Sequence, residues 1–506
     1  MLRTLALLVR AVLAASCVGL AGGSSCQPDN APVLPEGDRA LPDEAGLVLV
    51  ARIVHITDTH MVDEESPARF AGAHDLVTAA YRPWENSSPQ ILDGIVRTVN
   101  RVHASGRLVD FLVHTGDGCD NVQGNELTWL ITVMDGGAVN PLSGPDDRPP
   151  ETRPEPPLDP HAAFQAQGLY QQGLSGDLPS IPWYAVMGNH DTYAIGVFPI
   201  VTLLDGRRAG LLPLRSRPGV LLPRVLDPLS PWAHGRITPA MPGPPELFEL
   251  PVYVPVVPER AYFDRSRYIQ ACWTSRTGPP GHGFASPDGP PYYSVSPKPG
   301  VRLIALYMSE QPRPVAAIPN HEGCISVEQL DWLRGELEAA AVRDELVIVA
   351  SHHPSSSIEA AYGSAASPDS FRELLNSYPN VILHLAGHRH RNHVTDRGGY
   401  LEIETCSTID WPQEGRIVEV WRSDADGSIF IAYEMFSHVD DRWPPLGDDP
   451  LRGLREQALD LARHDAAAPA RVANDATEPI PPPAERVGAA GDRQGFVQLR
   501  TELHGP

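Results

Sequence analysis

Three observations predict an α/β fold with mixed sheets. Apolar β-type runs recur along the chain, and stretches of helical periodicity separate several of them, the pattern of parallel strands joined by crossover helices. Many of these runs stop abruptly at short polar clusters rich in Asp, His and Asn. In the last third, strands follow one another with no helix between them, which adds an antiparallel part.

Leu47–Ile56 (LVLVARIVHI) is the first core strand and ends in Thr57-Asp58-Thr59-His60. Asp58 and His60, two positions apart, share one side of an extended segment. Ile91, Ile95, Val99 and Val102 then recur at helical spacing and predict a helix over Gln90–His103. Val109–His114 is the next strand and runs into Thr115-Gly116-Asp117-Gly118-Cys119-Asp120. A strand–helix–strand unit pairs in parallel, so Asp117 falls at the same sheet edge as Asp58. That edge is where ligands gather in open α/β sheets. Asn125–Met134 reads as a helix, Pro141–Pro160 as a surface loop, and Pro182–Met187 as a strand ending in Gly188-Asn189-His190-Asp191.

Residues 192–299 are rich in Pro, Gly and Arg with little periodicity, and read as an insertion arching over the strand ends or as a packing excursion. Near its end His282, in Gly281-His282-Gly283-Phe284, reads as an ordinary loop histidine ahead of the alternative, an imidazole at the rim of a site. Val301–Leu306 resumes the sheet. Ser326–Ala341 is a helix with a Leu330, Leu333, Leu337 stripe, and Leu346–Ala350 is a strand ending in Ser351-His352-His353-Pro354. After a helix over Asp369–Ser377, the strand Val381–Leu385 leads into Gly387-His388-Arg389-His390. Tyr400–Glu404, Arg416–Trp421 and Ser428–Tyr433 are the strands of the antiparallel part. Leu451–His464 is a helix, and 466–491, rich in Ala and Pro, reads as flexible.

The 506 residues are 42% hydrophobic, enough for a large core, and the 53 prolines suit long braced loops. A net charge of -23 repels a nucleic-acid polymer but admits a small anionic substrate if cations reverse the local field. Residues 1–26 read as an export signal, with Arg3 and Arg10 beside the apolar run Ala11–Ala21, which is too short for a membrane span. Cys26, after Gly22-Gly23-Ser24-Ser25, and Cys17 are candidate lipidation sites. The mature chain is therefore expected in the periplasm, at the cell envelope or secreted, without a transmembrane span. Residues 27–46 form a linker, 47–440 the main domain with its insertion at about 192–299, and 441–506 a C-terminal helix and flexible tail. Cys119, Cys272, Cys324 and Cys406 show no CxxC spacing and suit either disulfides or free buried thiols.

Asp58, His60, Asp117, Asn189, His190, His352, His388 and His390 are hard and borderline ligands without a cysteine among them. That mixture suits Mn, Fe, Zn or Co rather than a thiolate zinc site or a calcium cage. Asp117, with no histidine in its own cluster, is the natural bridge between two ions, which together lower the pKa of a shared water and clamp an in-line displacement. No Gly-x-Ser-x-Gly elbow or Walker loop offers another chemistry.

The ordered series Asp58-x-His60, Gly116-Asp117-x-x-Asp120, Gly188-Asn189-His190-Asp191, His352 and Gly387-His388-x-His390 resembles the calcineurin-like metallophosphoesterase superfamily over roughly residues 50 to 435. The resemblance implies a four-layer αββα sandwich of two mixed sheets, and phosphate-ester hydrolysis by a hydroxide bridging two metal ions. It implies Asp58, His60, Asp117 and His390 around one ion, and Asp117, Asn189, His352 and His388 around the other. It makes His190 the general acid, oriented by Asp191. Asp120 stands where purple acid phosphatases place a tyrosine, which argues against a ferric–tyrosinate site. The family pattern selects His352 over His353, leaving His353 as a neighbour of the ions or of substrate. Arg389 either steers an anion or faces away, as a residue between two ligands should. His55, His114 and His384 are read as packed histidines behind the site.

Asp63-Glu64-Glu65-Ser66-Pro67 and Ile409-Asp410-Trp411-Pro412-Gln413 look like stretches of an exported bacterial subgroup. The implied substrate is a small phosphodiester or phosphomonoester. The competing reading is a non-catalytic metal-binding envelope scaffold on the same fold; a proton donor beside the ions, His190, argues for catalysis. The sequence carries no sign of oligomeric state.

Overall fold

The apolar run that opens the domain forms β1 (Leu47–Ile56) in the computed structural model, which describes residues 46–68, 82–144, 153–171, 178–217, 220–229, 232–233, 252–309, 321–360, 363–466 and 483–499. The proposed export signal and all but the last residue of the proposed linker lie outside the described residues, as do residues 467–482 and 500–506 of the tail. α1 (Ser88–Ala104) begins with a proline in its first turn, where no intrahelical N–H is lost, and leads to β2 (Phe111–His114). α2 (Gly124–Asp135) and β3 (Trp183–Ala185) follow. After α3 (Arg265–Thr274) come β4 (Tyr293–Lys298) and β5 (Val301–Leu306). α4 (Val327–Val342), capped by the Ser326 side chain accepting from Gln329 N, precedes β6 (Leu346–Ser351). α5 (Pro368–Asn376), capped by Ser367, precedes β7 (Val381–Ala386). The remaining elements are β8 (His393–Asp396), β9 (Leu401–Glu404), β10 (Glu414–Ser423), β11 (Ile429–Ser437), α6 (Arg452–Ala466) and β12 (Gln494–Gln498).

These strands make two six-stranded mixed sheets, ordered β12-β11-β10-β1-β2-β3 and β4-β5-β6-β7-β9-β8. In the first, β1, β2 and β3 run parallel; in the second, β5, β6, β7 and β9 do. Alternation along the strands divides the core. Leu346, Ile348 and Ala350 of β6 join the cluster that also holds Ile53, Val113 and Ile417 of the first sheet, while Val347 and Val349 join Leu333, Leu337, Phe371 and Leu375 of α4 and α5. The second sheet is thus apolar on both faces, one toward its partner sheet and one toward helices. The fold is the mixed α/β architecture expected.

Four details differ from the sequence reading. Tyr293–Lys298 lies within the stretch read as insertion, yet it pairs antiparallel with β5 as an edge strand of the second sheet. Before it, Ile200–Thr202, Arg208–Arg217 and Val220–Leu226 form a separate small sheet. Tyr400–Glu404 does not pair with Arg416–Trp421. Leu401–Glu404 runs parallel to β7 because the short strand β8 reverses the chain between them, and β10 and β11 extend the other sheet. In the tail, Gln494–Gln498 adds a sixth strand beside β11. All four described cysteines are free and buried. No helix among the described residues is long and apolar enough to cross a membrane.

Candidate metal centre

Five strands, three from the first sheet and two from the second, bring their C-terminal ends to one place. Asp58 and His60 follow β1, Asp117 follows β2, Asn189 and His190 follow β3, His352 follows β6, and His388 and His390 follow β7. Backbone bonds lock the loops together: Asp58 N donates to Gly116 O at 3.0 Å, His60 N to Asp117 O at 2.9 Å, and Gly387 N to His352 O at 2.9 Å. The sheets also meet through side chains, since His388 N donates to Asp58 Oδ2 at 3.0 Å.

The turns are tight enough to strain the backbone. Asp58, His60, Asp117, His388 and His390 all have positive φ, between 40° and 69°. Left-handed non-glycine residues cost of order 1–3 kcal/mol each and cluster where surrounding structure holds them for function. The approach is close as well. A Cβ at Gly387 would collide with Thr57 Oγ1 and Asp58 Oδ2, and one at Gly188 with Asp117 Oδ1.

The side chains then converge. His390 Nε2 lies 3.1 Å from Asp58 Oδ1, and His60 Nε2 lies 3.8 Å from both Asp58 Oδ1 and Asp117 Oδ2. His352 Nε2 is 3.1 Å from Asp117 Oδ2 and 3.9 Å from Asp58 Oδ1. Ligand atoms of Asp58, His60 and His390, of Asp58, Asp117 and His352, of His60, Asp117 and His190, and of His352, His353 and His388 fall within 4.8 Å of one another, group by group. All of these residues are buried except His388, which is partly exposed.

Three of the histidines are aimed by their other nitrogen. His60 Nδ1 lies 2.9 Å from Asp120 Oδ1, His390 Nδ1 lies 2.7 Å from Asp410 Oδ2, and His352 Nδ1 lies 2.8 Å from the Thr115 carbonyl. An oxygen acceptor at Nδ1 fixes the proton there and turns the Nε2 lone pair toward the cluster. His60 Nε2 and His390 Nε2 consequently face each other at 3.2 Å.

At the centre, Asn189 Oδ1, His352 Nε2 and His353 Nδ1 are buried without a well-formed hydrogen bond, His352 Nε2 having only Asp117 Oδ2 at 3.1 Å. Asn189 spends its amide hydrogen on Gly196 O at 3.0 Å, so its oxygen is the free end. A cation is the partner that satisfies an amide oxygen, imidazole lone pairs and carboxylates together, and the donor set fits Mn, Fe, Zn or Co.

The protein's own charges compensate the carboxylates in part. Burial works to raise Asp58, yet His390 and His352 hold it well below the usual carboxylate range. Asp117 is depressed against the same burial by His352 and His190. His390 is raised to about 9, against burial, by Asp58 and Asp410. His388 is held well below the ordinary imidazole value by desolvation of its ring and by its neighbours His353 and His352.

The other sequence candidates are placed as follows. His190 joins the cluster, its backbone N–H donating to Asp117 Oδ1 at 2.8 Å and its ring Nδ1 bonding to the Asp120 carbonyl at 2.7 Å. Asp191, expected to orient His190, instead accepts from the backbone N–H groups of Gly188, Gly118 and Cys119 at 2.9–3.2 Å. The carboxylate thus ties two loops together, and Asp120 holds the histidine. Asp191 is pushed up to about 6 by burial and by Asp117. His353 lies beside His388, ring centroids 4.3 Å apart, with Nε2 on the His321 carbonyl. Arg389 bonds Ser357 Oγ at 2.8 Å and sits 3.5 Å from Glu322. His282 is no rim residue: it stacks on Trp183 at 3.7 Å and bonds the Trp183 carbonyl and Ser275. His55, His114 and His384 are buried and bonded to Thr115, Thr59 and Glu402 respectively.

Arg82 and the anchoring role of Asp410 have no counterpart in the sequence reading. Asp410 was visible only as part of Ile409–Gln413, and nothing marked Arg82.

Residues 51–233 match the family model described as calcineurin-like phosphoesterase. Among solved structures, a dimetal phosphatase from Danio rerio aligns at 15% identity over 78% of this chain and 98% of its own, with a TM-score of 0.39. The sulfate thiohydrolase SoxB of Thermus thermophilus, in complex with glycerol, aligns at 10% identity over 83% of this chain and 61% of its own, with a TM-score of 0.34. No curated protein matches the chain.

Proposed function

We propose that this chain, a calcineurin-like phosphoesterase, hydrolyses small phosphate esters at the five strand ends, using two divalent cations held by Asp58, His60, Asp117, Asn189, His352, His388 and His390. The observation that carries the reading is the orphaned buried acceptor Asn189 Oδ1, set with His352 Nε2 among carboxylates and imidazoles already aimed inward. Such a set, when loaded, supplies Lewis-acid polarisation of a phosphoryl oxygen and activation of water at neutral pH.

The residues divide the remaining work. Asp117, whose Oδ2 lies 3.8 Å from His60 Nε2 and 3.1 Å from His352 Nε2, would be the ligand common to both cations. Asp120, through its carbonyl, orients the His190 ring, leaving Nε2 to carry a proton to the departing alkoxide. The buried walls keep bulk water from the carboxylates and strengthen every charge interaction inside. We also place the enzyme outside the cytoplasm, at the envelope or secreted, on the strength of Arg3, Arg10 and the apolar run Ala11–Ala21; the mass of the mature N-terminus tests this.

The functional test is a panel of cyclic nucleotides, glycerophosphodiesters, nucleotides and simple monoesters, run on protein reconstituted with Mn, Fe, Zn or Co. Turnover of at least one class is expected. Replacing His190 by Ala should lower kcat by roughly 10²–10⁴-fold on esters with poor leaving groups and by much less on nitrophenyl esters, which need no proton. Two bound ions without turnover on any class would favour the scaffold reading instead.

A further inference from the structure

We propose that Arg82 and Asp410 are a positioning pair that sets the affinity of one of the two cation sites, the one built on Asp58, His60 and His390. The inference rests on the two-cation reading above and adds to it the means by which the two sites differ.

Arg82 is 1% exposed. Its Nε donates to Asp410 Oδ1 at 2.8 Å and its Nη2 to Asp410 Oδ2 at 3.1 Å, a bidentate clamp. Nη1 of the same guanidinium reaches Asp120 Oδ1 at 3.4 Å. The two carboxylates are not ordinary ion-pair partners. Asp410 Oδ2 holds His390 Nδ1 at 2.7 Å, and Asp120 Oδ1 holds His60 Nδ1 at 2.9 Å. One planar cation therefore fixes the two carboxylates that aim the two histidines facing each other across this site.

The pair is itself anchored. Asp410 N donates to Ser407 Oγ at 3.2 Å, and Ser407 Oγ donates to the Asp58 carbonyl at 2.7 Å. Trp84 Nε1 donates to Ile409 O at 2.6 Å, tying the segment that carries Arg82 to the loop that carries Asp410. Arg82 and Asp410 are 328 positions apart in the chain.

A pair that served folding alone would need no contact with ligating imidazoles. Here the oxygens that Arg82 grips are shared with His60 and His390, so neither carboxylate can rotate without releasing a histidine. On the other side of the centre His352 Nδ1 rests instead on a backbone carbonyl. Groups that orient metal-ligating histidines typically govern affinity by about 10–100-fold. A lysine in place of Arg82 has no fork with which to clamp one carboxylate and reach the other.

The test is a Mn(II) titration of the full chain, following free ion against a competing chelator and the paramagnetic resonance spectrum of the bound ions. Wild type should bind two ions and show an exchange-coupled pair. Arg82→Gln and Asp410→Asn should each weaken one ion by about 10–100-fold, leave the other near its wild-type affinity, and replace the coupled spectrum with a mononuclear one. Arg82→Lys should restore only part of the loss, and the double variant should be no worse than the weaker single. Both affinities unchanged, or both lowered together, would overturn the proposal. If Arg82→Gln fails to fold, Asp410→Asn decides the matter alone. Wild-type protein that does not bind two ions would instead overturn the two-cation reading on which the pair depends.

Discussion

The two sides of the centre present similar imidazoles on different supports. His60 and His390 lean on carboxylates, Asp120 and Asp410, whereas His352 leans on the Thr115 carbonyl. A carboxylate support carries charge to the ligand and depends on a side chain that a substitution can remove. A carbonyl support is part of the loop and survives any change of side chain. Asp117, placed between His60 and His352, belongs to both sides. The centre therefore combines one side adjustable by distant side chains with one side fixed by the fold.

The largest effect should come from the residue common to both. Asp117→Asn keeps the volume and removes the shared negative charge. With each 1.4 kcal/mol worth a factor of ten, loss of a few kcal/mol predicts a fall in kcat/KM on the order of 10²-fold or more. Metal analysis should show both ions weakened. If Asp117→Asn cleaved bis-nitrophenyl phosphate as wild type does, the shared role of Asp117 would be wrong.

The candidate ligands were legible in the sequence and their supports were not, for a physical reason. A ligand at a strand end follows a continuous apolar run, as Asp117 follows Phe111–His114, so hydrophobic pattern locates it. A support is defined by where another part of the chain happens to pass. Asp410 reaches His390 from a loop beyond β9, and Thr115 reaches His352 across 237 positions. Edge strands escaped for a related reason. Tyr293–Lys298 alternates only over Tyr293–Ser296 before Pro297 cuts it short within a Pro-rich stretch, and Gln494–Gln498 holds just two adjacent apolar residues, so neither shows a run long enough to mark an inner strand. Leu401–Glu404 was legible as a strand but not in its pairing, because the reversal through His393–Asp396 leaves only a partly buried, polar trace.

A titrating group that touches none of the candidate ligands, and reaches the Asp410 loop only through Gln413, separates local effects from global ones. His438 is buried, bonds Gln413 Oε1 at 2.8 Å, and is lowered to about 3 by burial and then by Arg455 and Arg452. Above pH 6.5 it is neutral folded and unfolded. As pH falls below 6.5 the unfolded chain takes up the proton and the folded one does not until about pH 3, so stability is lost across that window. At 1.4 kcal/mol per pH unit, wild type should lose about 2 kcal/mol more than His438→Gln between pH 7.5 and 5.0, read from urea midpoints. The same difference should persist in Asp117→Asn protein. Its disappearance there would mean that the charge at the centre is felt throughout the molecule, and the contrast between its two sides would lose its local meaning.

The smallest effect is the sharpest test of the contrast. Thr115→Ala removes the hydroxyl that bonds His55 Nε2 at 2.8 Å but leaves the carbonyl that holds His352. The stability cost should be about 1–3 kcal/mol, that of leaving one buried ring nitrogen unpaired. The affinity of the His352 side for its ion should stay within about twofold of wild type, while Asp410→Asn costs its own side roughly 10–100-fold. If Thr115→Ala weakened the ion as much as Asp410→Asn does, the carbonyl would not be acting as a fixed support, because the loop would then depend on the hydroxyl to hold its shape. A stability loss with unchanged metal affinity is the outcome that separates a support made of backbone from one made of side chains.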